Sequence, residues 1–224
     1  QSKWDNATAI LAGDGLFVES QRAIGKVRNN TQGVGTVFNN GALAVCVGQA
    51  YDKEYEENQT ITLNDYLEMI EKKTGALLSL CMEIPALLAN QDEGVCSQLR
   101  KFGYDIGKGF QIQDDILEIF SGVEAMGKSL GSDVIANKQT ALTLMARKLV
   151  PQDWNKFCNG QGSQTIDEKL AGLRTFFEDN GIYAETTAMA DKYFKDAVNA
   201  LAVVPNPGRE DLLAYTNFIK NREY

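Results

Sequence analysis

Apolar side chains recur along this chain at intervals of three and four residues, and no stretch alternates strictly between apolar and polar residues. The recurring pattern is typical of amphipathic α-helices, whereas strict alternation would have indicated half-buried strands. It predicts helices over residues 5–28, 35–57, 62–89, 137–149, 166–179, 181–201 and 208–222, and one or two more over 92–120. Thr62, with Asp65 three residues later, has the spacing of a helix-capping box. We therefore predict an all-α protein with a single helical domain over residues 1–224.

The most unusual pattern lies in residues 103–120. On a helix, apolar side chains cover nearly the whole circumference of this segment, while Gln111, Asp114, Asp115 and Glu118 share one sector about 100° wide. A helix that is apolar nearly all round is buried by its neighbours, and ionised carboxylates in an interior are costly unless something positive meets them. Two interpretations stay open: an internal polar cavity that holds a divalent cation, and an ordinary acidic face exposed to solvent.

The residue types indicate which cation would suit such a cavity. The chain contains no histidine, so the carboxylates would supply the protein's ligands. Mg²⁺ prefers a few carboxylates together with water and substrate phosphates to a cage made only of protein atoms. We therefore favour a divalent metal, Mg²⁺, that binds together with a phosphorylated ligand.

Lysines are placed where they could meet such an anion. Lys73 lies within the apolar stripe of the helix predicted over 62–89, where it either extends to the surface or pairs with an anion, a bound ligand included. Thr74 adds a hydroxyl donor beside it. Lys128 lies on a short loop with glycines just past the carboxylate helix, where it could reach a phosphate held at the metal. The apolar stripe around Lys73 is expected to consist of Tyr66, Ile70, Leu77, Leu80 and Ile84.

Composition excludes several classes of function. The net charge of −8 argues against nucleic acid or an anionic membrane surface as the main partner. No segment reaches the roughly 18 uninterrupted apolar residues of a spanning helix. The absence of histidine excludes catalysis by histidine and metal binding by imidazole. The four cysteines have no paired metal-ligand spacing, so we expect reduced thiols and a cytoplasmic protein.

One combination of motifs resembles a known family. The run Phe110-Gln111-Ile112-Gln113-Asp114-Asp115-Ile116-Leu117-Glu118 is followed by Gly127-Lys128, by Gly131-Ser132-Asp133-Val134 and by Asn137-Lys138. Together they resemble the second aspartate-rich motif and the lysine loop of trans-isoprenyl diphosphate synthases. The resemblance also covers Leu11-Ala12-Gly13-Asp14, Gly48-Gln49 with Asp52, and Lys73-Thr74-Gly75. Glu118 departs from the pattern, because the family usually has aspartate there.

The resemblance implies a fold, a reaction and roles for individual residues. The fold would be the isoprenoid-synthase helical bundle around a central cavity, usually in a homodimer. The reaction would be the extension of an allylic diphosphate with isopentenyl diphosphate, with Mg²⁺ as cofactor, as in short-chain farnesyl and geranylgeranyl diphosphate synthases. Asp114 and Asp115 would hold the metal, and Lys73, Lys128 and Lys138 would contact the allylic diphosphate. Thr74 and Gln111 would lie beside the allyl cation and could help to accept the proton.

The first aspartate-rich motif of the family has no counterpart in this sequence. By resemblance, that motif and its helices would precede Leu11-Ala12-Gly13-Asp14, so the chain reads as the C-terminal two-thirds of such an enzyme. Two hypotheses about function follow. The chain is part of an active prenyltransferase, or it is a non-catalytic subunit or partner protein that has the same fold.

Overall fold

The computed structural model describes residues 3–29, 31–121, 138–160 and 165–222, and the regular elements in these ranges are all helical, which confirms the all-α class. The α-helices are α1 (Asn6–Gly25), α2 (Thr31–Tyr55), α3 (Leu63–Ile70), α4 (Ala76–Leu88), α5 (Glu93–Phe120), α6 (Ala141–Leu149), α7 (Pro151–Gly160), α8 (Ile166–Asp179), α9 (Ile182–Ala200) and α10 (Gly208–Lys220). A π-helical turn (Glu71–Gly75) joins α3 to α4, and a 3₁₀ turn (Leu201–Val203) follows α9. Within the described ranges, none of these helices is long and apolar enough to cross a membrane.

Local capping chemistry fixes several helix starts. The predicted box at Thr62 is present, since Thr62 and Asp65 exchange hydrogen bonds between side chain and backbone. Thr140 caps α6 in the same way through Thr143, so that helix begins at Ala141 and not at the predicted residue 137. Helix α7 was not predicted: it is only ten residues long and follows α6 after the single residue Val150, and Trp154 is its one buried residue.

Helix α5 is the centre of the fold. It contacts α3, α4, α6, α8, α9, α10 and the π-helical turn. Its buried residues lie on all sides of the helix, as the sequence pattern predicted: Cys96, Phe102, Gly103, Asp105, Ile106, Gly107, Gly109, Ile112, Asp115, Ile116 and Ile119. The carboxylate-bearing end of α5 is therefore surrounded by other elements and is not a solvent-facing surface helix.

The prediction of one continuous helix over 62–89 was wrong at residues 71–75, where the backbone forms the π-helical turn. A π-helical turn adds one residue and so rotates everything that follows it. The buried positions after the turn differ from those expected: Ala76, Ser79 and Glu83 are buried, while Leu77, which was expected in the core, is 56% exposed. Leu80 is buried, as predicted. Ile84 is only partly buried. Lys73 leaves the stripe and lies within the turn itself.

The π-helical turn is held between two helices at positions where only glycine fits. A Cβ atom at Gly107 of α5 would lie 2.5 Å from the Cα atom of Gly75. A Cβ atom at Gly48 of α2 would clash even more severely with the backbone nitrogen of Lys73. The obstacle in both cases is backbone, which cannot move aside cheaply. The two glycines therefore allow α2 and α5 to approach the turn from different sides.

Helix α1 differs from the rest because none of its residues is buried. It contacts only α2 among the described elements, and the aromatic rings of Phe17 and Phe38 lie 6.3 Å apart across that contact. Asp14 lies on this exposed helix, and neither neighbouring glycine has an atom of another residue close to where its Cβ would be.

Candidate active site

Lys73 forms an ion pair inside the protein. Its Nζ lies 2.7 Å from Oδ2 of Asp52 on α2, and the side chains of Lys73 and Asp52 are 31% and 20% exposed. Asp52 also accepts a hydrogen bond from Nε2 of Gln49, one turn earlier on α2, at 3.3 Å. Of the two interpretations of Lys73, pairing with an anion is the one found, and in this structure that anion is a carboxylate of the protein.

Thr74 connects the π-helical turn to the carboxylate helix. Its hydroxyl donates a hydrogen bond to Oε1 of Gln111 on α5 at 3.3 Å, and both residues are partly buried. Gln111 is one helical turn before Asp114 on the same helix. The structure therefore brings Thr74 next to Gln111, although 37 residues separate them in the sequence, while the adjacent Lys73 is bonded to α2.

Asp114 is paired with an arginine from the end of the described chain. Nη2 of Arg222 lies 2.5 Å from Oδ1 of Asp114, and their side chains are 15% and 34% exposed. The guanidinium of Arg222 also lies over the ring of Phe110, 3.8 Å from its centroid, and donates to the Phe110 carbonyl oxygen. Asp114 thus occupies a position where a positive charge is accommodated.

Asp115 has different surroundings, although it is the neighbouring residue. It is buried, and its Oδ2 accepts hydrogen bonds from the Tyr66 hydroxyl and from the backbone N–H of Ala141, each 2.7 Å long. Ala141 is the first residue of α6, where backbone N–H groups lack partners in the helix and the helix dipole favours a negative charge. Asp115 therefore joins α3, α5 and α6.

A cavity of about 600 Å³ lies on the Asp115 side of α5. Its polar walls include Asp115, Glu118 and Lys138, and its apolar walls include the rings of Trp154 and Phe177. Lys73, Thr74, Gln111 and Asp114 do not line it. The predicted carboxylate stripe is thus divided between two environments, with Asp114 on the side of Arg222 and Asp115 and Glu118 at the cavity.

Some predicted site residues lie outside the described ranges, and other functional candidates were missed. Lys128 and the glycines of its loop belong to residues 122–137, which the structure does not describe. Asp52 was expected on one helical stripe with Gln49 and as part of the motif, but it was given no role at the site. Tyr66 and Arg222 gave no local signal, because their partners on α5 are 49 and 108 residues away in the sequence.

The sequence predicted a divalent cation at Asp114 and Asp115. Across residues 3–29, 31–121, 138–160 and 165–222, no three carboxylate or thiol side chains are grouped as a metal site. A cation at Asp114 would need further oxygen ligands from a bound phosphate and from water, which is the coordination that Mg²⁺ prefers. The close approach of a guanidinium to Asp114 indicates that positive charge fits at this carboxylate.

Comparison with known proteins finds relatives that match nearly the whole chain. Geranylgeranyl diphosphate synthase of Methanosarcina mazei is 33% identical over 228 residues, which cover 99% of this chain and 68% of the relative. Geranylfarnesyl diphosphate synthase of Natronomonas pharaonis is 32% identical over 227 residues, which cover 99% of this chain and 65% of the relative. The chain therefore spans about two thirds of the length of these relatives.

Solved structures give the same result for the fold. A crystal structure of a geranylgeranyl pyrophosphate synthase superposes with a TM-score of 0.88 at 26% identity, covering 99% of this chain and 71% of the other. The corresponding synthetase from Pyrococcus horikoshii gives 0.85 at 28% identity, covering 96% and 67%. The sequence profile described as polyprenyl synthetase matches residues 1–177. This chain belongs to the polyprenyl synthetase family.

Proposed function

We propose that this protein is a prenyltransferase that extends an allylic diphosphate with isopentenyl diphosphate and forms a short-chain, all-trans prenyl diphosphate. The observation that supports this most is the hydrogen bond between Thr74 and Gln111. It brings the lysine of the π-helical turn and the carboxylate Asp114 to the same part of the molecule. A cationic group and a metal-binding group are then both close to one diphosphate.

The protein's own residues bind the diphosphate and stabilise its charge. Lys73 exchanges its partner Asp52 for a diphosphate oxygen, with Lys128 of the undescribed segment as a second positive charge. Lys138, which lines the cavity beside Asp115 and Glu118, would contact the diphosphate from that side of α5. The allylic C–O bond breaks, and its electron pair leaves with the diphosphate. Lysines fixed around the leaving group stabilise this developing negative charge more in the transition state than in the ground state.

Thr74 and Gln111 act on the allyl cation and on the proton that is lost. The double bond of isopentenyl diphosphate attacks the allyl cation, a carbon–carbon bond forms, and one proton is lost from the former isopentenyl group. The hydroxyl of Thr74 and the amide oxygen of Gln111 lie beside the cation, orient it through their dipoles and help to accept that proton.

Mg²⁺ is the cofactor in this proposal. Asp114 would hold it, with Asp115 as the second candidate ligand; the Oδ2 atom of Asp115 already accepts two hydrogen bonds within the fold. When bound, the metal supplies positive charge to the diphosphate and makes it a better leaving group.

The test is turnover. The full chain is incubated with isopentenyl diphosphate and dimethylallyl, geranyl or farnesyl diphosphate, with Mg²⁺ or with excess chelator, and the products are identified by mass spectrometry. We expect a prenyl diphosphate longer than the primer by five carbons or multiples of five, and none with chelator. Diphosphate binding without turnover for any primer would contradict the proposal and favour the non-catalytic subunit.

We further propose that the helices form one domain, that this domain dimerises, and that α1 contributes to the contact between two copies. The buried apolar residues of α3 and of α5 to α10 form one contiguous cluster, and Leu78 and Met82 of α4 pack against it, which supports a single domain. Apolar side chains of α1 are exposed instead: Ile10 by 64%, Leu11 by 69%, Leu16 by 73% and Phe17 by 51%. Exposed apolar surface of this kind marks interaction sites.

Light scattering should give twice the 24.6 kDa of one chain. Replacing Leu11 and Leu16 by Glu should give the mass of one chain, and an unchanged mass would contradict the role of α1. The partners in this proposal are two small diphosphates and a second copy of the chain, with no nucleic acid. The cytoplasm is the proposed location, in keeping with four free cysteines.

A further inference from the structure

The π-helical turn must be held in one orientation relative to the helices around it. π-Helical segments are rare and less favourable than α-helix, and they occur mostly at functional sites. The contacts of Gly48 and Gly107 bring α2 and α5 close to the turn, but a glycine surface offers no directional bond. Because Lys73 and Thr74 lie on this turn, a small rotation of its backbone would move both side chains.

A buried lysine on α5 forms a directional bond with the turn. Nζ of Lys108 lies 2.7 Å from Oε2 of Glu71, the first residue of the turn, and the Lys108 side chain is only 13% exposed. This is a bond between two elements 37 residues apart, and it differs from the bond of Lys72 with Glu68, which is local and joins the turn only to the last turn of α3. Thr74 and Gln111 form the other side-chain bond described above between the turn and α5.

Further groups keep Lys108 charged and in place. Oδ1 of the buried Asp105 lies 3.9 Å from its Nζ, and Asp105 is in turn paired with Lys101. The ring of Tyr193 on α9 lies under the ammonium group, 4.8 Å from Nζ to the ring centroid. Positive and negative groups therefore alternate from Lys101 to Glu71, so a buried ammonium is compensated on several sides.

We propose that Lys108 is a positioning residue of the site: its bond with Glu71 fixes the π-helical turn on α5 and thereby places Lys73 and Thr74 for the diphosphate ligand. The identity of that ligand rests on the proposed function, but the mechanical role of the bond does not. Lys108 itself is not expected to touch substrate, since its ammonium is engaged with Glu71 and Tyr193.

The experiment compares Lys108→Met, Glu71→Gln and their combination in the full chain. Hydrogen exchange of the backbone amides is followed by mass spectrometry, and the Kd of geranyl diphosphate with Mg²⁺ is measured by calorimetry. We expect amides of residues 71–78 to exchange about fivefold faster or more, and the Kd to rise about five- to tenfold, within the range of one ordinary hydrogen bond. The double variant should be no worse than either single variant, because both remove the same bond.

Two matched variants test the specificity of the effect. Lys72→Met also removes one lysine charge, here from the turn itself, but it breaks a local bond between residues four apart, so exchange at 73–78 and the Kd should stay within about twofold of wild type. Lys108→Arg keeps a cation that can reach Glu71 and should restore most of the binding.

Each outcome decides the question. Unchanged exchange of the turn and unchanged Kd in both single variants would overturn the proposal. Faster exchange throughout the protein, with no excess at 71–78, would also overturn it and make the pair a general stabilising contact. Should Lys108→Met fail to fold, Glu71→Gln gives the answer, since Glu71 is 42% exposed and tolerates the loss of its charge. A wild-type protein that binds no diphosphate contradicts the proposed function, and the exchange data still test the bond.

Discussion

The two sides of the candidate site are held in place by different means. On the Lys73 side, backbones meet: Gly48 and Gly107 let α2 and α5 approach the π-helical turn so closely that no side chain fits between them. On the carboxylate side, single side chains reach across from distant segments: Arg222 to Asp114, and Tyr66 to Asp115. The first arrangement fixes the positions of backbone atoms, whereas the second fixes the charges and orientations of carboxylates.

On both sides, however, a charged side chain is paired with one of opposite charge. Lys73 is paired with Asp52, and Asp114 is paired with Arg222. A partly buried charge without a counter-ion is costly, so these internal pairs stabilise the fold when no ligand is bound. In the proposed function, binding of a metal and a diphosphate would exchange one pair for another. The difference between the sides predicts that backbone substitutions on one side should cost stability, while charge substitutions on the other should cost ligand binding.

The largest effect is expected from Asp114→Asn. It should weaken Mg²⁺-dependent binding of geranyl diphosphate by a hundredfold or more, which is about 2.7 kcal/mol or more, because the amide removes the charge that the metal needs. Stability should change by less than about 1 kcal/mol, since Asp114 is 34% exposed and its pair with Arg222 is partly solvated. Calorimetric titration and urea unfolding measure the two quantities.

The matched control for Asp114→Asn is Asp153→Asn, which removes an exposed acid of α7 that pairs with Lys156. It should change neither quantity. Retained Mg²⁺-dependent binding in the Asp114 variant would mean that the metal assignment is wrong.

Gly107→Ala should produce a large loss of stability on the Lys73 side. The added Cβ would lie 2.5 Å from the Cα atom of Gly75, so two packed helices would have to separate, which costs about 3 kcal/mol or more. Gly13→Ala serves as the control, because its Cβ would meet nothing within 4 Å and should stabilise the protein by about 0.5–1 kcal/mol through helix propensity. Urea unfolding of both variants measures the contrast, and equal stabilities would show that the close approach is not limiting.

Tyr66→Phe should have an intermediate effect on stability. It removes one of the two hydrogen bonds to Oδ2 of the buried Asp115, and a buried acceptor that loses a partner costs about 1–3 kcal/mol. Tyr215→Phe is the control, because Tyr215 is 47% exposed and should change stability by less than about 0.5 kcal/mol. If thermal unfolding of the two variants is the same, the bond to Asp115 contributes little.

The smallest effect is expected in the alkaline pH dependence of stability. Burial by itself lowers the pKa of Lys108, but its hydrogen bond with Glu71 and the charges of Glu71 and Asp105 outweigh burial, so the pKa lies above its ordinary value. Burial raises the pKa of Tyr193 as well. In both cases the folded state binds its proton more tightly than the unfolded state, so the stabilisation is complete below the unfolded pKa values, about 10, and is lost as pH rises through the folded ones.

Glu71→Gln should flatten this loss of stability above about pH 10, because it removes a negative charge that raises both pKa values. The change should be under about 1 kcal/mol, since Glu71 is partly exposed. Chemical unfolding between pH 8 and 11 measures the slope, with Glu185→Gln on α9 as the control. An unchanged slope would show that Glu71 does not influence these groups.

Helix periodicity and capping could be predicted from the sequence, and contacts between distant segments could not. The Thr62 box and the buried, all-round apolar character of α5 follow from local spacing, and both are present. The π-helical turn was not predicted, because the apolar spacing in residues 62–89 is that of a continuous helix. The exposure of Leu77 in the structure is what reveals the turn. Arg222 was missed because no rule of spacing connects it with Asp114, 108 residues earlier.

Asp114 and Asp115 show separately what spacing determines and what packing determines. Periodicity put Asp114 and Asp115 in one sector of α5, yet adjacent residues on a helix point about 100° apart. That difference sends Asp115 to Tyr66 and the start of α6, while Asp114 meets Arg222. Spacing thus located the acids, but only the packing of α3, α6 and the segment after α10 determined what each of them meets.

The glycine contacts at 48 and 107 also determine which parts of this protein can evolve or be engineered. Where two backbones touch, there is no side-chain volume that a substitution could add or remove. Libraries designed to accept larger or smaller substrates should therefore leave these two positions unchanged. Variation that alters ligand size has to come from walls built of side chains.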